Sequence, residues 1–142
     1  MFESLPTQIF AIVALMICGF AFLKGGPAER AFASVYILAW LASLAVQLQT
    51  TREIFPWALF GIDCVTLVVY GGLSWKYRSG WVVWAVALQA LAVVCHIMNL
   101  FVVAPTTTAF YTVLYVTAYG ILVALAVGTF WAWQERRAAG FE

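Results

Sequence analysis

The stretch WVVWAVALQALAVVCHIMNLFVV, residues 81–103, decides the fold. It contains no Lys, Arg, Asp or Glu. About 20 apolar residues are enough to cross the hydrocarbon of a bilayer as a helix, so the run reads as a membrane span. Its few polar groups are ordered. Ala85, Gln89, Ala92, His96 and Asn99 recur at spacings of 4, 3, 4 and 3. That spacing places them on one stripe of a helix, small and polar, against an otherwise oily surface.

Four more apolar runs flank this one, at 7–23, 31–48, 57–75 and 109–133. The breaks between them carry turn chemistry. Gly25-Gly26-Pro27 ends the first run, Pro56 starts the third, Ser79-Gly80 separates the third from the fourth, and Ala104-Pro105-Thr106 leads into the fifth. Connections this short force successive helices to run antiparallel. The expected fold is an all-α membrane protein, a five-transmembrane-helix bundle in one domain over residues 1–142. The whole composition agrees. Of the 142 residues 65% are hydrophobic and only 9% charged, against about 25% charged in a soluble domain. The lipid bilayer is the expected main partner. A net charge of +1 gives no reason to expect nucleic acid.

The N-terminus does not read as a cleavable signal, since Met1–Pro6 carries Glu3 and no basic residue. The basic residues suggest an orientation. With the N-terminus outside, the inner ends receive Lys24, Arg30, Lys76, Arg78, Arg136 and Arg137, six of the seven Lys and Arg residues. Only Arg52 falls outside. The positive-inside rule then predicts N-out, C-in. The tryptophans mark the same boundaries: Trp57 at the outer end, and Trp75, Trp81, Trp84, Trp131 and Trp133 at the inner end, as an aromatic belt. Trp40 falls at mid-membrane, as a packing residue or part of a ligand pocket.

The fifth run carries Gly120, Ala124, Gly128 and Ala132, a small residue every fourth position. Such a ridge allows close helix packing, within the chain or against a second copy. Cys18, Cys64 and Cys95 lie inside apolar runs without ligand spacing and read as small buried hydrophobes.

The functional lead is a pair. Asp63 and His96 are the one carboxylate and the one imidazole inside the runs. Counted from the ends of their spans, they lie roughly 9 and 10 Å deep at about 1.5 Å per residue. Asn99, Gln47, Tyr111 and Tyr115 fall at similar or shallower depth. Gln89 stands further in, as an interhelical hydrogen-bonding group or the next station of a path. Ionisable groups in a bilayer are costly and tend to have a function. Two readings stay open: a buried hydrogen-bonded pair that fixes helix register, or an outward-facing site for protons, ions or a small ligand. Tyr111, Tyr115 and Tyr119 share a face, as a packing stripe or a binding wall.

No cofactor is expected. One histidine cannot supply both axial ligands of a haem. No protease, hydrolase or P-loop motif is present, so an enzyme is not the expected class.

Gly26-Pro27-Ala28-Glu29-Arg30, the lone Asp63 of the third run, and Trp84, Gln89 and His96 of the fourth resemble a loose group of small polytopic inner-membrane proteins of alphaproteobacteria. The resemblance implies a multi-pass protein of the bacterial inner membrane and assigns no residue a role. The small size and the ridge favour an accessory, assembly or structural subunit of a larger membrane complex, with a protein partner or homo-oligomer in the membrane. The alternative is a small oligomeric transporter or channel built around Asp63 and His96.

Overall fold

A computed structural model describes residues 5–49, 55–102 and 107–140. Arg52 and Ala104-Pro105-Thr106 lie outside these residues. The chain forms α1 (Leu5–Lys24), α2 (Pro27–Gln49), α3 (Phe55–Tyr77), α4 (Gly80–Ile97), a π-helical turn (Met98–Val102) and α5 (Thr107–Ala138). All five α-helices are long and apolar enough to cross a membrane. Many of their outward side chains are large and apolar, among them Met16, Leu23, Leu38, Val68 and Val116. In water such a surface would aggregate; in lipid it is the solvated face.

The helices pack as a ring in chain order, with α5 closing back on α1. Alternation puts the starts of α1, α3 and α5 at one end, together with the ends of α2 and α4. The core runs through the centre, from Phe10, Ala14 and Cys18 of α1 to Leu122 and Leu125 of α5.

At the other end, α2 starts at Pro27, four residues earlier than the apolar pattern suggests. Proline suits the first helical position because the amide it lacks would be unpaired there. Two residues on, Glu29 turns back and accepts the Gly26 N–H at 2.8 Å, half of a capping box. Its second oxygen accepts the Trp81 indole N–H at 3.2 Å. Glu29 is therefore buried, not a loop residue between spans. Arg136 of α5 donates to the carbonyls of Lys24 and Gly25 at the end of α1, which ties the last helix to the α1–α2 turn.

Trp81 departs from the expected belt. It is only 6% exposed, with its ring edge-on to Phe32 at 4.9 Å. Trp57, Trp75, Trp84 and Trp131 are exposed, as interfacial residues are. The reason lies across the helix pair: a Cβ on Gly128 would come within 2.4 Å of the Trp81 ring. The missing side chain makes the slot for the indole. Gly120 likewise faces Leu88. At these two positions the small ridge packs on α4 of the same chain.

Candidate functional site

The π-helical turn directly follows the last turn of α4, which carries His96. A π turn closes i to i+5 and so holds more residues than an α turn. The stripe of α4 keeps its register through Ala85, Gln89, Ala92 and His96, all four buried. Asn99, beyond the change of pitch, is part-exposed and lies outside the cavity described below.

α3 brings Asp63 opposite this stripe. His96 Nε2 lies 2.9 Å from Asp63 Oδ2, with the imidazole 2% and the carboxylate 27% exposed. Gln89 Nε2 donates to Asp63 Oδ1 at 2.9 Å and to its backbone oxygen at 3.3 Å. Gln89 is thus no isolated inner group. It stands two helical turns below His96, and Asp63 lies between them with one oxygen for each. The three residues hold α3 and α4 in one register. The His96 ring is further held edge-on by Phe110 of α5 at 5.2 Å.

This cluster opens into a cavity of about 250 Å³. All five helices line it: Thr7 and Phe10 from α1, Tyr36, Trp40, Ser43 and Gln47 from α2, Asp63, Thr66 and Tyr70 from α3, Gln89 and His96 from α4, and Tyr111, Tyr115 and Thr117 from α5. Six of the seven polar candidates from the sequence meet here. Tyr119 does not; it packs edge-on to Phe10 at 5.1 Å within the core. Trp40 belongs to the cavity wall.

Three lining residues carry a buried polar atom without a hydrogen-bond partner: His96 Nδ1, Tyr70 OH and Gln47 Oε1. Buried polar atoms are ordinarily paired, and an unpaired one costs about 1–3 kcal/mol. Finding three on the wall of one cavity points to a site that receives polar groups from outside the protein. With Nε2 turned to Asp63, Nδ1 is the nitrogen left without a protein partner. Several other hydroxyls of the wall are occupied. Tyr36 donates to the Ala118 carbonyl at 3.3 Å, while Ser43 and Thr66 donate to their own helix backbones.

Below Tyr70 the cavity ends on an aromatic floor. Tyr70 stacks on Phe32 with ring centroids 4.2 Å apart, and Phe32 meets Trp81. Glu29 was not among the site candidates read from the sequence, whereas Tyr70 shares one face of the third span with Asp63 and Thr66. For Glu29 a signal existed in Gly26-Pro27-Ala28-Glu29, a helix-start pattern. For Tyr70 the signal was its helical spacing from Asp63 and Thr66, which puts the three on one face. The three cysteines are free. Set against known protein families, curated proteins and solved structures, the chain matches none of them.

Proposed function

We propose that this chain is a small membrane carrier that binds a solute in the central cavity and exchanges it against a proton held on the Asp63–His96 pair. One observation supports this above others: the 2.9 Å pair faces a cavity on which His96 Nδ1 and Tyr70 OH find no partner. Glu29 adds support, as a second buried carboxylate on the far side of the aromatic floor.

The experiment uses proteoliposomes loaded with a small-molecule cell extract and placed under a pH gradient. The expected result is an extract-dependent proton flux, absent in Asp63→Asn. Equal flux in wild type, Asp63→Asn and empty vesicles sinks the carrier reading.

An accessory-subunit role is the competing reading, in line with the small size and the apolar outer face. The ridge no longer argues for it at Gly120 and Gly128, which pack on α4. A stoichiometric larger protein in a mild-detergent pull-down from the native membrane would favour it; a clean homo-oligomer or monomer would favour the carrier.

The reading includes a location in the bacterial inner membrane with the N-terminus outside, so that the cavity faces outward. Lys24, Arg30, Lys76, Arg78, Arg136 and Arg137 support this, gathered at the end away from the cavity. An impermeant maleimide applied to intact cells should label a cysteine placed at Gln49 and leave one placed at Ala138 unlabelled. The reverse pattern would invert the orientation.

A further inference from the structure

Resting on the carrier reading, we infer that the solute is a small organic cation, a quaternary or protonated amine with an apolar body, which displaces a proton from His96. Among the described residues the lining carries one carboxylate, Asp63, and no Lys or Arg. Among the described residues, the titratable groups facing the cavity are Asp63 on α3, His96 on α4, and the tyrosines Tyr36, Tyr70, Tyr111 and Tyr115; α1 contributes none. A carboxylate in hydrocarbon needs a positive partner. Among the described lining residues, the imidazolium of His96 is the one such partner.

The rest of the wall suits a second kind of cation. Phe10 of α1 sits at the centre of an aromatic group, edge-on to Trp40 of α2 at 6.4 Å and to Tyr115 of α5 at 6.0 Å. Ring faces attract a desolvated cation by their quadrupole, Trp most strongly, and recognition of quaternary ammonium commonly uses such walls. They offer nothing to an anion. They also offer few hydrogen bonds to a sugar. A ligand with N–H or hydroxyl groups would in addition meet Tyr70 OH and His96 Nδ1, two of the three buried polar atoms of the wall that lack protein partners.

The exchange balances. Without ligand, His96 is the imidazolium, with Nε2–H toward Asp63 Oδ2 and a second proton on Nδ1. When the ligand cation reaches Asp63, two positive charges face one carboxylate. His96 then gives up the Nδ1 proton to water in the cavity and keeps its Nε2–H on Asp63. One cation enters, one proton leaves, and the net charge of the site is unchanged. Each carboxylate oxygen accepts one protein hydrogen bond, which leaves lone-pair capacity for the ligand.

The test is titration calorimetry on the full chain in nanodiscs, repeated in two buffers of different ionisation enthalpy to read proton release. The probes are choline, benzyltrimethylammonium and 3,3-dimethylbutan-1-ol, the uncharged carbon isostere of choline. At least one ammonium probe is expected to bind with proton release. The isostere should be weaker by about tenfold or more, given the size of a desolvated cation–π term. Asp63→Asn should abolish binding while its elution and melting stay near wild type, and Trp40→Ala should weaken binding with the proton release retained. An isostere that binds as well as choline, or ammonium binding without proton release, overturns the inference. So does the absence of any ammonium binding. If extract-dependent flux then persists, the ligand class alone is wrong; if that flux is also missing, the carrier reading falls with it.

Discussion

Asp63→Leu is expected to cost the bundle about 2–3 kcal/mol, and Asp63→Asn about 1 kcal/mol or less. The leucine removes the partner of two buried side chains at once, His96 Nε2 and Gln89 Nε2. Removing one member of a buried ion pair costs about 3–5 kcal/mol. Interhelical hydrogen bonds in membranes average only about 0.6 kcal/mol. Two relaxations bring the value here between these limits. A neutral imidazole leaves no uncompensated charge behind, and Asp63 faces the cavity with a quarter of its side chain exposed. Asparagine keeps the shape. Its Oδ1 accepts from Gln89, and its Nδ2–H donates to an unprotonated His96 Nε2. The stabilities are read from unfolding in sodium dodecyl sulfate titrations. Asp63→Leu within about 0.5 kcal/mol of wild type would mean that the cluster does not hold α3 to α4; such a value is ordinary for a surface change. Both variants should lose proton-linked flux. The pair of substitutions therefore separates a register lock, which only leucine breaks, from a titrating site, which both break.

Gly128→Ala is expected to destabilise by about 1–2 kcal/mol, and Gly120→Ala by less than about 1 kcal/mol. Both add one methyl group to the same helix, four residues from the same ridge neighbour, Ala124. In a helix interior the change should gain about 1 kcal/mol, because alanine loses less backbone entropy than glycine. What differs is the obstacle. At Gly128 the new carbon falls 2.4–2.5 Å from three atoms of the Trp81 ring. That ring is held by Phe32 on one side and by the hydrogen bond to Glu29 on the other, so α5 must move outward. Overpacking of a tight core typically costs about 1–3 kcal/mol. At Gly120 the carbon meets Leu88 Cδ1 at 2.8 Å, the free end of a side chain that can change rotamer. Thermal unfolding in mild detergent compares the two. Equal effects would mean that the Trp81 slot is no tighter than its neighbour. In Trp81→Leu the Gly128→Ala change should cost less, since the rigid ring is gone.

The spans were legible because lipid selects composition directly. A run such as 81–103 has one stable conformation in hydrocarbon, and its boundaries follow from where charge and turn residues resume. The alignment of Gln89 with His96 was equally legible, since helical spacing is a local property. The expected edges were displaced where local chemistry competed with hydropathy. Pro27 and Glu29 start α2 earlier than the apolar pattern does, and the π turn after Ile97 carries Asn99 off the stripe.

Pairing between helices was not legible. Equal depth made Asp63 and His96 compatible, but which faces of α3 and α4 meet depends on side-chain packing around the whole ring. The same holds for Trp81. Its sequence position beside a basic turn is that of an interfacial tryptophan, and only Gly128 on another helix makes it a core residue. Glu29 is buried for the same reason, with Trp81 as its partner. Tyr70 lies one turn beyond Thr66 on the Asp63 face, yet its value to the site comes from an absence of partners that no linear pattern records.

By itself, then, the sequence determined an all-helical chain of five apolar helices, their approximate limits, and the stripe of α4 that carries Gln89 and His96. These follow from hydrophobicity and a period of about 3.6 residues, both properties of contiguous residues. The tertiary structure alone decided that Asp63 stands between Gln89 and His96, that Trp81 fills the slot at Gly128, and that five helices leave a cavity with unpaired polar atoms on its wall. Those are outcomes of how faces from distant segments are rotated against one another. Within lipid that rotation is set by shape fit and a few hydrogen bonds, because the hydrophobic effect no longer distinguishes one oily face from another.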